Sequence, residues 1–215
     1  MKNIFVYNNH LEAKKVLSTL ESELELCDEF IFSVAFISES GLTSLLQTLK
    51  NLEEKKVEKI MRILCIGDSN TWGYVPGEDG VRTDKRWTKL LAEFRSNDTI
   101  IEEALCGRTV TAKDTIVPVR CGIDTLPILM LSHVPVDLVI IMLGTNDLKK
   151  QFNPSAKHLA LGIEQFIKYI RNPHLVENYK IPKILIVSPV PLRDEIVERQ
   201  SLFGEFDENS LKQSK

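Results

Sequence analysis

The sequence has little excess charge and no long apolar run, and these two absences exclude several classes of protein. It contains 27 basic and 30 acidic residues, for a net charge of −3, so no basic face for nucleic acid or an anionic membrane is expected. No apolar run approaches the ~18 residues of a membrane span. The N-terminal stretch MKNIFVYNNHLEAKK becomes polar after seven residues, too early for a secretory signal. We therefore expect a cytoplasmic protein that acts on a small neutral molecule, without a nucleic-acid or membrane partner.

Cysteine is sparse and irregularly spaced. The chain has four cysteines, Cys27, Cys65, Cys106 and Cys121, without a C-x-x-C pair among them. Such pairs are the usual mark of zinc and thiol redox sites. Cys65 stands inside an apolar run, where a small buried thiol is the ordinary expectation. All four cysteines are predicted to be reduced.

The chain divides near Met61 into two segments of different pattern. With 43% hydrophobic residues over 215 positions, it has material for one full-sized domain plus a fragment, or for one domain with a long appendage. The charged run NLEEKKVEK (Asn51–Lys59) is typical of a solvated helix end, and a new apolar strand follows it directly. These observations predict an N-terminal fragment over 1–60 and a main domain over 61–215.

From Met61 onward, apolar β-rich runs alternate with amphipathic stretches. Helices are expected at RWTKLLAEF, DTLPILMLSH and AKHLALGIEQFIKYI, and strands at Ile63–Ile66, Thr99–Glu102, Leu138–Leu143 and Ile184–Val187. Continuous apolar strands separated by helices indicate an α/β fold with a parallel sheet covered on both faces. In such sheets ligands bind in the crevice at the carboxyl ends of the strands. That rule directs attention to the residues that follow the first three strands.

Gly67-Asp68-Ser69 follows the first predicted strand without a gap. Gly67 permits a tight turn, and Ser69 would then present its hydroxyl at the crevice, where a nucleophile is expected. The alternative is that Asp68, Ser69 or Asn70 only caps the next helix, as these residue types often do. The tripeptide alone does not separate the two interpretations.

Two further segments end at the same predicted edge. Gly144-Thr145-Asn146-Asp147 follows the third strand, where the amide of Asn146 could donate a hydrogen bond to an oxyanion. The alternative there is a turn or a helix cap. Gly107 follows the second strand and offers either a backbone N–H to the same oxyanion or only a turn glycine. Three such segments at one edge are harder to explain as coincidence than any one of them alone.

The three segments resemble the first three sequence blocks of the GDSL, or SGNH-hydrolase, family. ILCIGDSNTWGYVPGEDG, RWTKLLAEF, IIEEALCGRTV and PVDLVIIMLGTNDLKKQF are similar to the branch of bacterial arylesterases and acyltransferases. The resemblance implies a flavodoxin-like, three-layer α/β/α fold and activity on small acyl esters such as aryl acetates, without a metal or organic cofactor. It also implies that Ser69 is the nucleophile, with an oxyanion hole formed by the backbone N–H groups of Ser69 and Gly107 and the side chain of Asn146. Some relatives form homo-oligomers, so self-assembly is a further expectation.

The fourth motif of that family, an Asp-x-x-His pair whose histidine is the general base, is not found in this sequence. A serine hydroxyl is a weak nucleophile unless a base takes its proton. Two of the four histidines precede predicted strands at the wrong edge of the sheet, and the others fall in the N-terminal segment and on a helix face: His133, His174, His10 and His158. Asp68 and Asp147 lie near the crevice, but carboxyls with an ordinary pKa near ~4 are poor bases at neutral pH. We expect that the base has been lost from this chain.

The main domain is thus expected to lack the C-terminal segment that contains the Asp-x-x-His motif, and this loss has a structural consequence. After KILIVSPV, the stretch FDENSLKQSK is typical of the start of a helix, and the fifth strand of a 2-1-3-4-5 sheet would come only after it. The fourth strand, Ile184–Val187, would then be an open apolar edge, from which poor solubility or self-association is expected. An alternative is that the strand predicted at Glu29–Phe36 pairs with that edge and completes the sheet.

The N-terminal segment has a weaker resemblance of its own. The strand EFIFSVAF and the helix that follows it resemble the start of phospholipase-D-like domains attached to bacterial helicases, although the His-x-Lys motif of phosphodiester chemistry is not present. A generic helix-strand fragment explains the pattern as well. Three functions are therefore considered. They are a serine ester hydrolase or acyltransferase impaired by loss of its histidine, a catalytically dead fusion product, and a helicase-linked nuclease module that only the N-terminal segment favours.

Overall fold

A parallel five-stranded sheet is the framework of the protein, in a computed structural model that describes residues 31–34, 60–78, 80–153, 155–172, 179–195 and 205–215. The strands are β1 (Ile31–Val34), β2 (Arg62–Gly67), β3 (Thr99–Ala104), β4 (Leu138–Met142) and β5 (Lys183–Val187). Their order across the sheet is β1-β5-β4-β2-β3. The four strands predicted after Met61 are thus all present and parallel, which confirms the α/β class.

Helices connect the strands, as the sequence pattern predicts. The described helices are α1 (Ser69–Trp72), α2 (Trp87–Phe94), α3 (Gly122–His133), α4 (Ala156–Ile170) and α5 (Glu208–Ser214). Short 3₁₀ turns lie at Pro118–Arg120, Asn146–Leu148 and Lys150–Phe152. α3 begins at Gly122, before the predicted Asp124. A Cβ on Gly122 would lie 2.4 Å from the carbonyl oxygen of Thr109, so close packing requires glycine at this position. The helical pattern of apolar residues does not reveal that requirement.

Strands β2, β4 and β5 are buried on both faces of the sheet. On one face, Leu64 of β2 packs in a cluster that includes Leu126 of α3 and Phe166 of α4. The residues on either side of Leu64 in β2, Ile63 and Cys65, point to the other face and are only 2% and 0% exposed. Burial on both faces explains why β2, β4 and β5 are almost continuously apolar instead of alternating. β3, at the edge of the sheet, is only partly buried and contains Glu102 and Glu103.

The edge of the sheet beside β5 is occupied by the N-terminal strand β1. The pairing is parallel and runs from Ile31 with Ile184 to Val34 with Val187. The prediction that β5 is an open edge is therefore wrong, and the alternative that a strand from Glu29–Phe36 completes the sheet is confirmed for its central four residues. An unpaired edge leaves backbone N–H and C=O groups without partners, and pairing with β1 satisfies them. The helix predicted over Leu42–Leu52 lies outside the described residues.

Candidate active site

Ser69 is the first residue of α1 and follows β2 after a single residue. The residue between them, Asp68, is the N-cap: its Oδ1 accepts hydrogen bonds from the backbone N–H of Asn70 at 2.9 Å and from the Asn70 side chain at 3.1 Å. The capping alternative is therefore correct for Asp68, and it leaves Ser69 partly exposed in the first turn. A Cβ on Gly67 would lie 1.9 Å from Oγ1 of Thr71. Only glycine allows α1 to turn this closely off the strand.

Gly107 lies in the loop after β3 with φ of +83°, in the left-handed region that favours glycine. A Cβ at this position would also lie 2.5 Å from Nε of Arg120. Arg120 is held there because its Nε donates to the carbonyl of Cys106 at 3.2 Å and its Nη1 to Asp114 at 3.1 Å. Within the part of the chain that is described, the N–H of Gly107 has no hydrogen-bond partner. It remains available to a ligand.

Asn146 joins the other two segments. It is the first residue of the 3₁₀ turn after β4 and is 6% exposed. Its Nδ2 donates to the carbonyl oxygen of Arg108 at 3.0 Å and lies 3.4 Å from Oδ2 of Asp68. One side chain thus contacts the residue before Ser69 and the residue after Gly107. The structure brings the three predicted segments together at one edge of the sheet.

Two buried carboxyls, those of Asp68 and Asp147, lie beside Asn146, and the pKa of each is raised. Burial raises the pKa of Asp68 to about 6, against the opposing effect of its hydrogen bonds from Asn70, and the charge of Asp147 raises it further. Burial likewise raises the pKa of Asp147, although backbone N–H groups of Val110 to Ala112 oppose the shift. The expectation of an ordinary carboxyl pKa is therefore wrong at both positions. Each carboxyl is enclosed by loops that are distant in sequence, and sequence reasoning did not foresee that enclosure.

Arg108 was not assigned a role from the sequence. Its side chain is buried, and Nη1 donates to the carbonyl of Gly67 at 3.3 Å and to the carbonyl of Glu103. These contacts tie the carboxyl ends of β2 and β3 together. Burial lowers the pKa of the guanidinium. The only sequence sign of this residue is a charged side chain directly after the glycine of a loop that follows an apolar strand.

The described histidines make no hydrogen bond with Ser69. His133, the last residue of α3, places Nε2 2.6 Å from Oε1 of Glu103. His158 is exposed on α4 and lines a cavity of about 250 Å³ together with Asp147, Phe152 and other residues. His10 and His174 lie outside the described residues. Neither His133 nor His158 thus occupies the position of a base.

Metal ligands do not cluster in the described ranges: no group of three or more His, Cys, Asp or Glu side chains there could hold an ion. Cys65, Cys106 and Cys121 are free thiols, and Cys27 lies outside the described residues. Burial raises the pKa of Cys65 far above its usual range. Of the helices that are described, none is both long and apolar enough to cross a membrane.

The chain belongs to the GDSL-like lipase/acylhydrolase family, whose family model matches residues 65–203. That match begins inside β2 and includes Ser69, Gly107 and Asn146, the residues that meet at the sheet edge. The family resemblance found in the sequence is thereby confirmed. No match was found among curated protein sequences.

Solved structures of esterases have the same fold. The native aryl esterase of M. smegmatis is 38% identical over 72% of this chain and 74% of its own, with a TM-score of 0.61. Est24, a carbohydrate acetylesterase from Sinorhizobium meliloti, is 34% identical over 71% of this chain and 75% of its own, again with a TM-score of 0.61. The SGNH-hydrolase type of the fold follows from these similarities.

Proposed function

We propose that the site is that of a serine carboxylic-ester hydrolase or acyltransferase, which acts on small acyl esters through an acyl-enzyme on Ser69. The observation that carries the proposal is the position of the Asn146 amide, within hydrogen-bonding reach of both the Ser69 and the Gly107 segments. Relatives that are named as an aryl esterase and a carbohydrate acetylesterase support acetyl esters as the substrate class.

The proposed reaction begins when Oγ of Ser69 attacks the carbonyl carbon of the ester and a base accepts the hydroxyl proton. The carbonyl electron pair moves onto oxygen, and the resulting oxyanion collapses as the C–O bond breaks, with the proton passing from the base to the leaving alkoxide to give the alcohol. A phenolate leaves without needing a proton, which favours aryl esters. Water then attacks the acyl-serine, the base takes its proton and passes it to Oγ of Ser69, and the acid and the free serine are released; attack by a second alcohol in place of water gives acyl transfer.

Three donors are proposed to stabilise the oxyanion. The Ser69 N–H lies in the first turn of α1, where backbone N–H groups have no partner within the helix. The Gly107 N–H is unpaired in the described part of the chain. Asn146 has one amide hydrogen on the carbonyl of Arg108, while its 3.4 Å contact with Asp68 is long enough to be exchanged for a shorter bond to an oxyanion. Preorganised donors of this kind are worth about 10²–10³ in kcat each.

Among the described residues, no general base is hydrogen-bonded to Ser69. No Asp-x-x-His motif occurs in the 215 residues, and neither of the two histidines within the described ranges is hydrogen-bonded to Ser69. Asp68, with a pKa of about 6, is a better base than an ordinary carboxyl, but both its oxygens already accept hydrogen bonds. These observations favour a second candidate, a protein that retains the oxyanion hole and does not turn over.

The test is hydrolysis of p-nitrophenyl acetate together with fluorophosphonate labelling read by intact mass, on the parent and on Ser69→Ala. For the esterase, the parent turns over and gains one label, and Ser69→Ala does neither. Ser188→Ala is the matched control, since Ser188 also follows a parallel strand of the same sheet, β5. It should behave as the parent does.

The outcomes separate the two candidates. Turnover and labelling that disappear only in Ser69→Ala establish the esterase and require that a base is supplied. A folded parent that neither turns over nor is labelled contradicts the esterase and favours the inactive scaffold. Labelling that persists in Ser69→Ala would place the reactive group elsewhere and overturn the assignment of Ser69.

A further inference from the structure

We propose that Asp147 is a positioning residue, which holds Asn146 and the Gly107–Ala112 loop in the relative position that an oxyanion hole requires. The inference rests on the proposed function, because it assigns a role in the same site. It goes beyond that function because Asp147 is given neither the nucleophile's role nor a donor's role. Its side chain acts through the backbone of another loop.

The carboxylate of Asp147 is enclosed by backbone amides of the loop that follows Gly107. The N–H of Val110 donates to Oδ2 at 2.8 Å and to Oδ1 at 3.0 Å. The next two amides, of Thr111 and Ala112, approach Oδ1 at 3.3 and 3.4 Å. Asp147 itself is only 8% exposed. Three consecutive N–H groups directed at one carboxylate fix both the position and the curvature of that loop.

Asn146 and Asp147 hold the same loop through groups of opposite polarity. Asn146 donates from Nδ2 to the carbonyl of Arg108, whereas Asp147 accepts from the amides that begin at Val110. The two side chains are neighbours in the turn after β4, and the groups they contact lie within a few residues of Gly107. Displacement of this loop therefore moves the carbonyl that orients the Asn146 amide, and also moves the Gly107 N–H.

Burial of a carboxylate is costly, which argues for a role in addition to filling space. Loops that need only to pack are held equally well by apolar side chains, without the desolvation cost of a charge. An oxyanion hole, in contrast, needs its donors at about 2.7–3.1 Å from the developing charge. A charged acceptor with three amide partners restricts the loop more strongly than apolar contacts do.

The test compares Asp147→Asn with a matched control, Asp137→Asn. Asp137 stands at the amino end of β4, where its Oδ2 accepts from the backbone N–H of Arg62 at 3.0 Å. Both carboxylates thus tie a neighbouring segment to β4, but only Asp147 does so at the edge with Ser69. Three quantities are measured: hydrogen exchange of the amides of residues 110–112, the ¹H–¹⁵N resonance of the Asn146 side-chain amide, and fluorophosphonate labelling with p-nitrophenyl acetate kinetics.

Asp147→Asn replaces one acceptor oxygen by an NH₂ group that faces amide donors, so the loop should loosen. We expect the exchange of amides 110–112 to accelerate at least about tenfold and the Asn146 resonance to shift. In a parent that turns over, kcat should fall about 10- to 100-fold with KM little changed, since a misplaced donor loses part of its effect. Asp137→Asn should change none of these quantities.

A different pattern would overturn the inference. If amides 110–112 lose protection while the Asn146 resonance stays in place, Asp147 supports the loop without positioning the donor. In a parent that turns over, an unchanged kcat leads to the same conclusion. A parent without turnover or label contradicts the proposed function alone, and the Asn146 resonance still decides the role of Asp147. If Asp147→Asn does not fold, Asp147→Glu, which keeps the charge but displaces it by one methylene, is measured instead against the same outcomes.

Discussion

Asp68 makes the stability of this protein depend on pH in the direction opposite to that of most acidic residues. Its carboxyl is 1% exposed, and burial raises its pKa from 3.8 to about 6. The folded state therefore binds this proton more tightly than the unfolded state does. Between about pH 4 and pH 6 the folded state holds more protons, so the free energy of unfolding falls as the pH rises through that range.

The magnitude follows from the displacement of the pKa. A rise from 3.8 to about 6, at 1.36 kcal/mol for each pKa unit, corresponds to about 3 kcal/mol. This contribution is fully present below pH 4 and lost by pH 7. Asp68→Asn removes the ionisation, and asparagine remains a good N-cap for α1. Relative to the parent, the variant should therefore gain about 3 kcal/mol between pH 4 and pH 7.

The assay is urea unfolding at intervals of half a pH unit, followed by the fluorescence of Trp72 and Trp87. Trp87 reports on α1 directly, because its Nε1 lies 3.3 Å from Oγ1 of Thr71. Asp114→Asn is a control for which the pH dependence of stability, relative to the parent, should have the opposite sign. Hydrogen bonds from Val117 and Arg120 lower the pKa of Asp114, so the parent's advantage over this variant should be present at neutral pH and lost on acidification. A parent-to-Asp68→Asn difference that stays constant from pH 4 to pH 7 would refute the reasoning.

Two further predictions concern the sheet. In a parallel ladder, alternate residues of a strand direct their N–H groups at the neighbouring strand, so either Phe32→Pro or Ser33→Pro should remove a β1–β5 hydrogen bond. That variant should self-associate more than the parent in sizing experiments. If both variants remain as monodisperse as the parent, β1 is not needed to cover β5. Gly67→Ala should destabilise the protein by about 1–3 kcal/mol in urea unfolding, because its Cβ would overlap the buried Thr71. An unchanged midpoint would show that α1 can move away from the strand.

Much of the fold can be predicted from the sequence because β2, β4 and β5 are buried on both faces. Burial on both sides removes polar residues from a strand, so its limits are visible as an unbroken apolar run. The limits of α4, Ala156–Ile170, agree with the prediction at both ends, since a long amphipathic helix has a clear period. Such patterns depend on each element's own residues and its average environment.

The parts that could not be predicted depend on particular partners far away in the chain. Periodicity identifies a strand near Glu29–Phe36 but contains nothing that selects β5 as its neighbour. The pKa of Asp68 is raised by burial and, in addition, by the charge of Asp147, a residue of the loop after β4. The Asp147 carboxylate likewise has a role only in relation to the amides that follow Gly107. Motif spacing located the candidate site, but the electrostatics of that site arise from tertiary packing.

The pairing of β1 with β5 also constrains the order of events in folding. During synthesis β1 is made first among the described strands and β5 last, so the segment that covers the edge must wait for its partner. β2, β3 and β4 can associate earlier, through shorter chain separations, whereas closing the longest loop costs the most entropy and slows the step that needs it. Until β5 has been made and paired, β1 remains an exposed apolar strand, and a nascent chain with such a strand is prone to aggregation. Cellular yield of the protein should therefore depend on how fast β1 docks on β5.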